Sequence, residues 1–124
     1  YHGYDVSDYF AVNPHYGDLV LFRRFLAEAR RRGLRVLIDL VLNHASAEHP
    51  AFVLATRDPD GPPAPPALLA ALPASLAGGD VRDLFRFAAA PEQDRGPWGD
   101  RCWHYREGEY YYGVFDSAMP DWNF

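Results

Sequence analysis

Residues 35–42 read Arg-Val-Leu-Ile-Asp-Leu-Val-Leu and are apolar on both alternating faces except at Asp39. A strand with one wet face alternates apolar and polar side chains. A strand apolar on both faces belongs to a parallel sheet covered on both sides. The stretch before it has a different period. From Leu19 to Arg32, Phe22, Phe25, Leu26 and Ala29 recur at spacings of three and four, with arginines in the gaps. That pattern predicts an amphipathic helix with Asp18 as its N-cap, a basic last turn that suits the helix dipole, and Gly33 as its stop. A helix feeding a buried parallel strand is the second half of a β-α-β unit. The partner strand would precede Tyr1, and no other segment has the same character. The expectation is therefore an α/β fold of which this chain is a slice.

Composition removes several function classes. Hydrophobic residues make up 48% of the 124 positions and the formal net charge is −5, so most of the chain can fold. Purely apolar runs are far shorter than the roughly 20 residues that cross a bilayer, which argues against a membrane partner. The opening Tyr1-His2-Gly3 has neither the basic start nor the apolar stretch of a signal peptide, and no initiator Met precedes it. The cations are all arginine, and Arg23, Arg24 and Arg30-Arg31-Arg32 fall on one solvated helix face, so nucleic acid is not expected as a partner. Cys102 stands alone and excludes an internal disulfide.

Beyond the apolar run the chain becomes irregular. Residues 57–79 are rich in Pro, Ala and Gly and read as a poorly ordered loop with a short helix near Ala67–Leu72. Short antiparallel strands are expected at Arg101–Tyr105 and Glu109–Phe115, turning at Arg106-Glu107-Gly108. Long excursions after a strand in an α/β fold usually build a site.

Asp39 is costly inside an apolar strand unless a cation or backbone donors satisfy it. By the period-two rule it points the same way as Asn43, and Asn43-His44 falls at the C-terminal end of the strand, where α/β sites form. His44, Glu48 and His49 do not match the His-Glu-x-x-His spacing of a helical zinc site. A neutral histidine at a cleft that hydrogen-bonds a ligand fits better. Aromatic residues crowd both ends: Tyr4, Tyr9 and Tyr16 early, then Trp98, Trp103, Tyr110–Tyr112, Phe115 and Trp122 late. Most are expected to form a small core, and the remainder suit stacking on a pyranose.

Taken together, His2-Gly3-Tyr4-Asp5-Val6-Ser7-Asp8-Tyr9, Asn13-Pro14-His15-Tyr16-Gly17, Asp39-Leu40-Val41-Leu42-Asn43-His44 and Met119-Pro120-Asp121-Trp122-Asn123 resemble the α-amylase family of glycoside hydrolases. The order and spacing are compatible along the whole chain, although Trp122 replaces the usual Leu. The resemblance implies a segment of a (β/α)₈ TIM barrel: residues 1–44 run through helix 2 and strand 3, and residues 45–124 form most of an irregular small-β domain inserted after strand 3. It further implies that Tyr4 stacks on a sugar, with His2 beside it. His44 would hydrogen-bond a hydroxyl of the same sugar, and Asp39 would orient a strand-4 arginine. Asn43 and Asp121 would coordinate calcium.

The same resemblance places the nucleophile and the acid/base beyond Phe124. Retaining glycosidases need those two carboxyl groups about 5–5.5 Å apart, and no acid in this chain lies in a matching motif. The implied activity is hydrolysis of α-1,4-glucosidic bonds in starch-like glucans, with an α-glucan as partner and no turnover by this segment alone. Tyr1, where exo-acting relatives carry an acid, leans toward endo action. A trehalose synthase, an exo-α-glucosidase and a non-catalytic carbohydrate-binding remnant are the alternatives.

Overall fold

The computed structural model describes residues 3–76, 79–91 and 95–124, and the chain divides into two compact units. One comprises Asp8–Leu40; the other joins Tyr1–Ser7 to Val41–Phe124.

In the Asp8–Leu40 unit a 3-10 turn at Pro14–Tyr16 starts where the Asn13 side chain accepts the His15 N–H at 2.9 Å. Helix α1 spans Leu19–Arg31. Asp18 caps it by accepting the Leu21 N–H at 2.7 Å, and Gly33 leaves it at φ 73°, a value that favours glycine. On the solvent side Glu28 pairs with Arg31 and Arg32, both at 2.8 Å. The helix follows its sequence pattern, yet of its apolar stripe only Ala29 is buried; Phe25 is 52% exposed.

The expected strand at 35–42 is absent. Among the described residues it joins no ladder, and Leu37 is 94% exposed. Asp39 is exposed as well, so the buried carboxylate expected from the sequence is not observed. The physical reason is the one that made the run legible. A parallel strand exists only through neighbours that pair its backbone and cover both faces, and the described chain supplies none.

The other unit is built on short elements. Helix α2 spans Pro50–Ala55 and helix α3 spans Pro66–Ala70. Strands β1 (Phe87–Ala88), β2 (Trp103–Arg106) and β3 (Glu109–Tyr112) form an antiparallel sheet in the order β1-β3-β2. Trp103 faces Tyr112 and Arg106 faces Glu109 across the hairpin. Glu107 and Gly108 both have positive φ, 48° and 96°, as a two-residue turn matched to strand twist requires. Helix α2 was not anticipated, although Pro50 at its first position is a start signal. Residues 57–79, expected to be poorly ordered, contain α3 and a 3-10 turn at Ala74–Leu76; Ala77 and Gly78 lie outside the described residues.

Phe52 centres the core at 0% exposure. Its ring meets Phe85 and Tyr111 edge-on at 5.0 and 4.9 Å and lies parallel to Phe87 at 6.5 Å. Trp122 stacks on Phe85 at 4.8 Å. Arg82 ties three elements: it donates to the Ala55 carbonyl at 2.8 Å and to both carboxylate oxygens of Glu109 at 2.7 and 2.9 Å, with its guanidinium 4.3 Å above Phe87. Such forked pairs fix orientation as well as distance.

Truncating Phe52 to Ala should cost the full-length protein about 3–5 kcal/mol in a denaturant melt, because a closed aromatic cluster relaxes little into the cavity. Tyr111 gives a pH-dependent prediction. Its hydroxyl donates to the Ser117 carbonyl, and burial pushes the phenol above its ordinary 10.0; Arg106 opposes the shift and Asp116 adds to it. The folded state therefore holds this proton more tightly than the unfolded state. Stability should fall as pH rises through the ordinary tyrosine range. Melting temperatures measured between about pH 9 and pH 11 should drop less for Tyr111→Phe than for the wild type. Parallel curves would remove Tyr111 from the effect.

Candidate functional site

The motif residues Met119–Asn123 form a backbone spine. Ala47, Ala45 and Trp122 donate to the carbonyls of Ala118, Pro120 and Asn43 at 2.8, 3.0 and 2.9 Å. That is an antiparallel pairing of 43–47 with 118–122, bridged at His44 and Asp121. The other edge of the spine is held too: Asp121 donates to the Tyr112 carbonyl at 3.0 Å and Asn123 to that of Leu84 at 2.8 Å. Pro120 is fully buried and Met119 nearly so. The start of the chain joins this framework where Ser46 donates to the Val6 carbonyl at 2.9 Å.

This pairing brings Tyr4, Asn43, His44 and Asp121 together. His44 is 6% exposed, and its Nε2 lies 3.0 Å from the Tyr4 carbonyl oxygen. A carbonyl can only accept, so this contact assigns the ring proton to Nε2. Nδ1 faces the Asn43 amide nitrogen at 3.5 Å, and the edge of Phe115 packs at 5.4 Å between centroids. The imidazole thus grips the backbone of Tyr4, whose residue surface is 46% exposed.

Asp121 is 7% exposed. Burial pushes its carboxyl above the usual carboxylate range; the Val114 N–H, the Asn43 side chain and the charges of His44 and Arg86 oppose that shift. The Val114 N–H reaches Oδ1 at 3.2 Å. Val114 and Arg86 were missed from the sequence, because a backbone donor has no sequence signature and Arg86 lies in a stretch without a motif. Phe115 was legible only as one of many aromatics.

Calcium takes six to eight oxygen ligands. Among the described residues no three His, Cys, Asp or Glu side chains converge as a metal site. His49 serves the fold instead. It caps α2, its Nδ1 accepting the Ala51 N–H at 3.2 Å, and its ring meets Trp122 at 5.4 Å. Asp39 belongs to the Asp8–Leu40 unit, and His2 lies outside the described residues.

Comparison with known proteins gives a consistent answer. The family model described as Alpha amylase, catalytic domain, matches residues 1–124. The chain is 31% identical over 125 residues to α-amylase 3 of Dictyoglomus thermophilum, covering 100% of the chain and 20% of that protein. It is 36% identical over 122 residues to the trehalose synthase of Pimelobacter sp., covering 98% of the chain and 20% of that protein. Among solved structures, the α-amylase from H. orenii superposes with a TM-score of 0.72 at 38% identity, covering 99% of this chain and 22% of that one. The chain spans about a fifth of the length of these relatives. With the family match running end to end and the solved fold reproduced, this chain belongs to the α-amylase family, within its catalytic domain.

Proposed function

We propose that the full-length protein is a retaining glycoside hydrolase that cleaves α-1,4-glucosidic bonds of starch-like glucans, and that this chain supplies part of its sugar-binding wall. On this reading residues 1–44 are part of a (β/α)₈ barrel and residues 45–124 belong to the domain inserted after its third strand. The observation that carries it is the contact of the His44 imidazole with the Tyr4 backbone at 3.0 Å. It joins the two motif residues expected at one sugar.

Tyr4 offers an aromatic face to the apolar C–H face of a pyranose. His44 holds the backbone that carries this ring and lies beside the hydroxyls of the same sugar. The resemblance would add His2, which lies outside the described residues, at the same sugar, and would have Asp39 orient an arginine from outside this chain. The two catalytic carboxylates also come from outside it, so cleavage by double displacement depends on how this wall positions the bond between them. A second reading, formation of trehalose by rearrangement of maltose, is favoured by the likeness to a trehalose synthase.

Product analysis separates the two. Full-length protein incubated with amylose should release a series of maltooligosaccharides; trehalose from maltose as sole product would select the second reading. Tyr4→Ala and His44→Ala should each lower kcat/KM about 10- to 100-fold, since small displacements of a bound sugar have effects of that size. Unchanged kinetics in both variants would remove these residues from the cleft. A polypeptide of residues 1–124 alone should show no turnover on amylose.

A further inference from the structure

The His44 imidazole that holds Tyr4 is met edge-on by the ring of Phe115, at 5.4 Å between centroids. Phe115 sits in the middle of residues 113–117, the loop that leaves β3 and returns to the spine at Ala118. We propose that His104 and Tyr111 are positioning residues for the sugar-binding wall: they hold the two ends of this loop and so fix where Phe115 braces His44. This deepens the proposed function and rests on it, since the brace matters to catalysis only if His44 and Tyr4 face the sugar.

His104 and Tyr111 are directly opposed across the hairpin, so both side chains leave the same face of the sheet. From there each reaches one end of the loop. His104 Nε2 lies 2.9 Å from the Gly113 carbonyl oxygen; a carbonyl only accepts, so this contact puts the ring proton on Nε2. The Tyr111 hydroxyl donates to the Ser117 carbonyl. Packing alone does not call for that hydroxyl. The Tyr111 ring is buried against Phe52 at 4.9 Å, and a phenylalanine ring would fill the same space. A buried hydroxyl left without a partner is costly, so the bond specifies where Ser117 must lie.

Between its ends the loop has little freedom of its own. Asp116 folds it back: the Asp116 carbonyl accepts the Met119 N–H at 3.0 Å and its Oδ1 accepts the Ala118 N–H at 2.8 Å. Gly113 is pressed against this turn, because a Cβ there would lie 2.8 Å from the Met119 carbonyl oxygen and 3.0 Å from that of Asp116. Phe115 therefore moves with its anchors. A displacement at either end reaches the edge contact on His44, and through His44 the Tyr4 backbone.

The test is a double-mutant cycle on the full-length protein. It is read as kcat/KM well below the melting temperature, on amylose, or on maltose if that is what the protein converts. Tyr111→Phe removes the hydroxyl and keeps the ring, and should lower kcat/KM about 2- to 10-fold, the range one net hydrogen bond represents. In a Phe115→Ala background the same change should have almost no further effect, because the contact it positions is gone. His104→Phe should behave alike and takes the place of Tyr111→Phe if that variant does not fold; Phe115→Leu likewise replaces Phe115→Ala. Equal losses in both backgrounds, or a lower melting temperature with unchanged kcat/KM, would show that the pair only supports the fold and would overturn the proposal. His44→Ala, measured alongside, separates this from the reading of the site. Normal kinetics in His44→Ala would remove the sugar wall and this inference with it. A loss in His44→Ala with none in Tyr111→Phe would remove the positioning role alone.

Discussion

The antiparallel backbone pairing of residues 43–47 with residues 118–122 is the constraint on which the larger unit depends. It closes the loop of residues 48–117, and closing a loop that long costs entropy that grows only slowly with length. What makes closure hold is that the second segment is bonded on both edges, to Asn43–Ala47 on one side and to Tyr112 and Leu84 on the other. Its backbone N–H groups and the carbonyls of Ala118 and Pro120 are therefore satisfied in a largely buried position where water serves them poorly. Pro120, fully buried, lacks an N–H to satisfy and still lends its carbonyl to Ala45.

Around that spine a small aromatic core takes the place of long secondary structure. The helices of this unit have six and five residues, too short to be stable alone in water. Phe52 gives α2 its reason to persist by inserting among Phe85, Phe87 and Tyr111. Trp122 extends the cluster to the spine by stacking on Phe85, so the departure from the usual Leu of the motif has a packing partner here. The Arg82–Glu109 fork and the Arg82 contact with the Ala55 carbonyl lock the helix end to the sheet.

The candidate site follows from the same spine. Asn43 and His44 are consecutive, Asp121 is bridged to His44, and Tyr4 is reached through the imidazole. All four were legible in the sequence because each lies in a motif. Their supports were not. Val114 acts through a backbone N–H, which any residue but proline could supply. Phe52 looked like one apolar residue among many until α2 placed it at the centre. His49, which fits no zinc spacing with His44 and Glu48, proved to be a helix cap. Asp39 was picked out by burial that the described chain does not provide.

By itself the sequence determined what depends on neighbours along the chain. The period and capping of α1, the turn at Glu107-Gly108 and the family motifs are all local patterns, readable without knowing the fold. It also marked residues 35–42 as a strand in waiting, since their composition demands cover on both faces. Tertiary structure alone decided whether that cover exists, which aromatics close on Phe52, and that the His44 imidazole meets the Tyr4 carbonyl. Those outcomes rest on contacts between residues far apart in the chain, and no local pattern encodes the orientation of a side chain toward a partner brought in by folding.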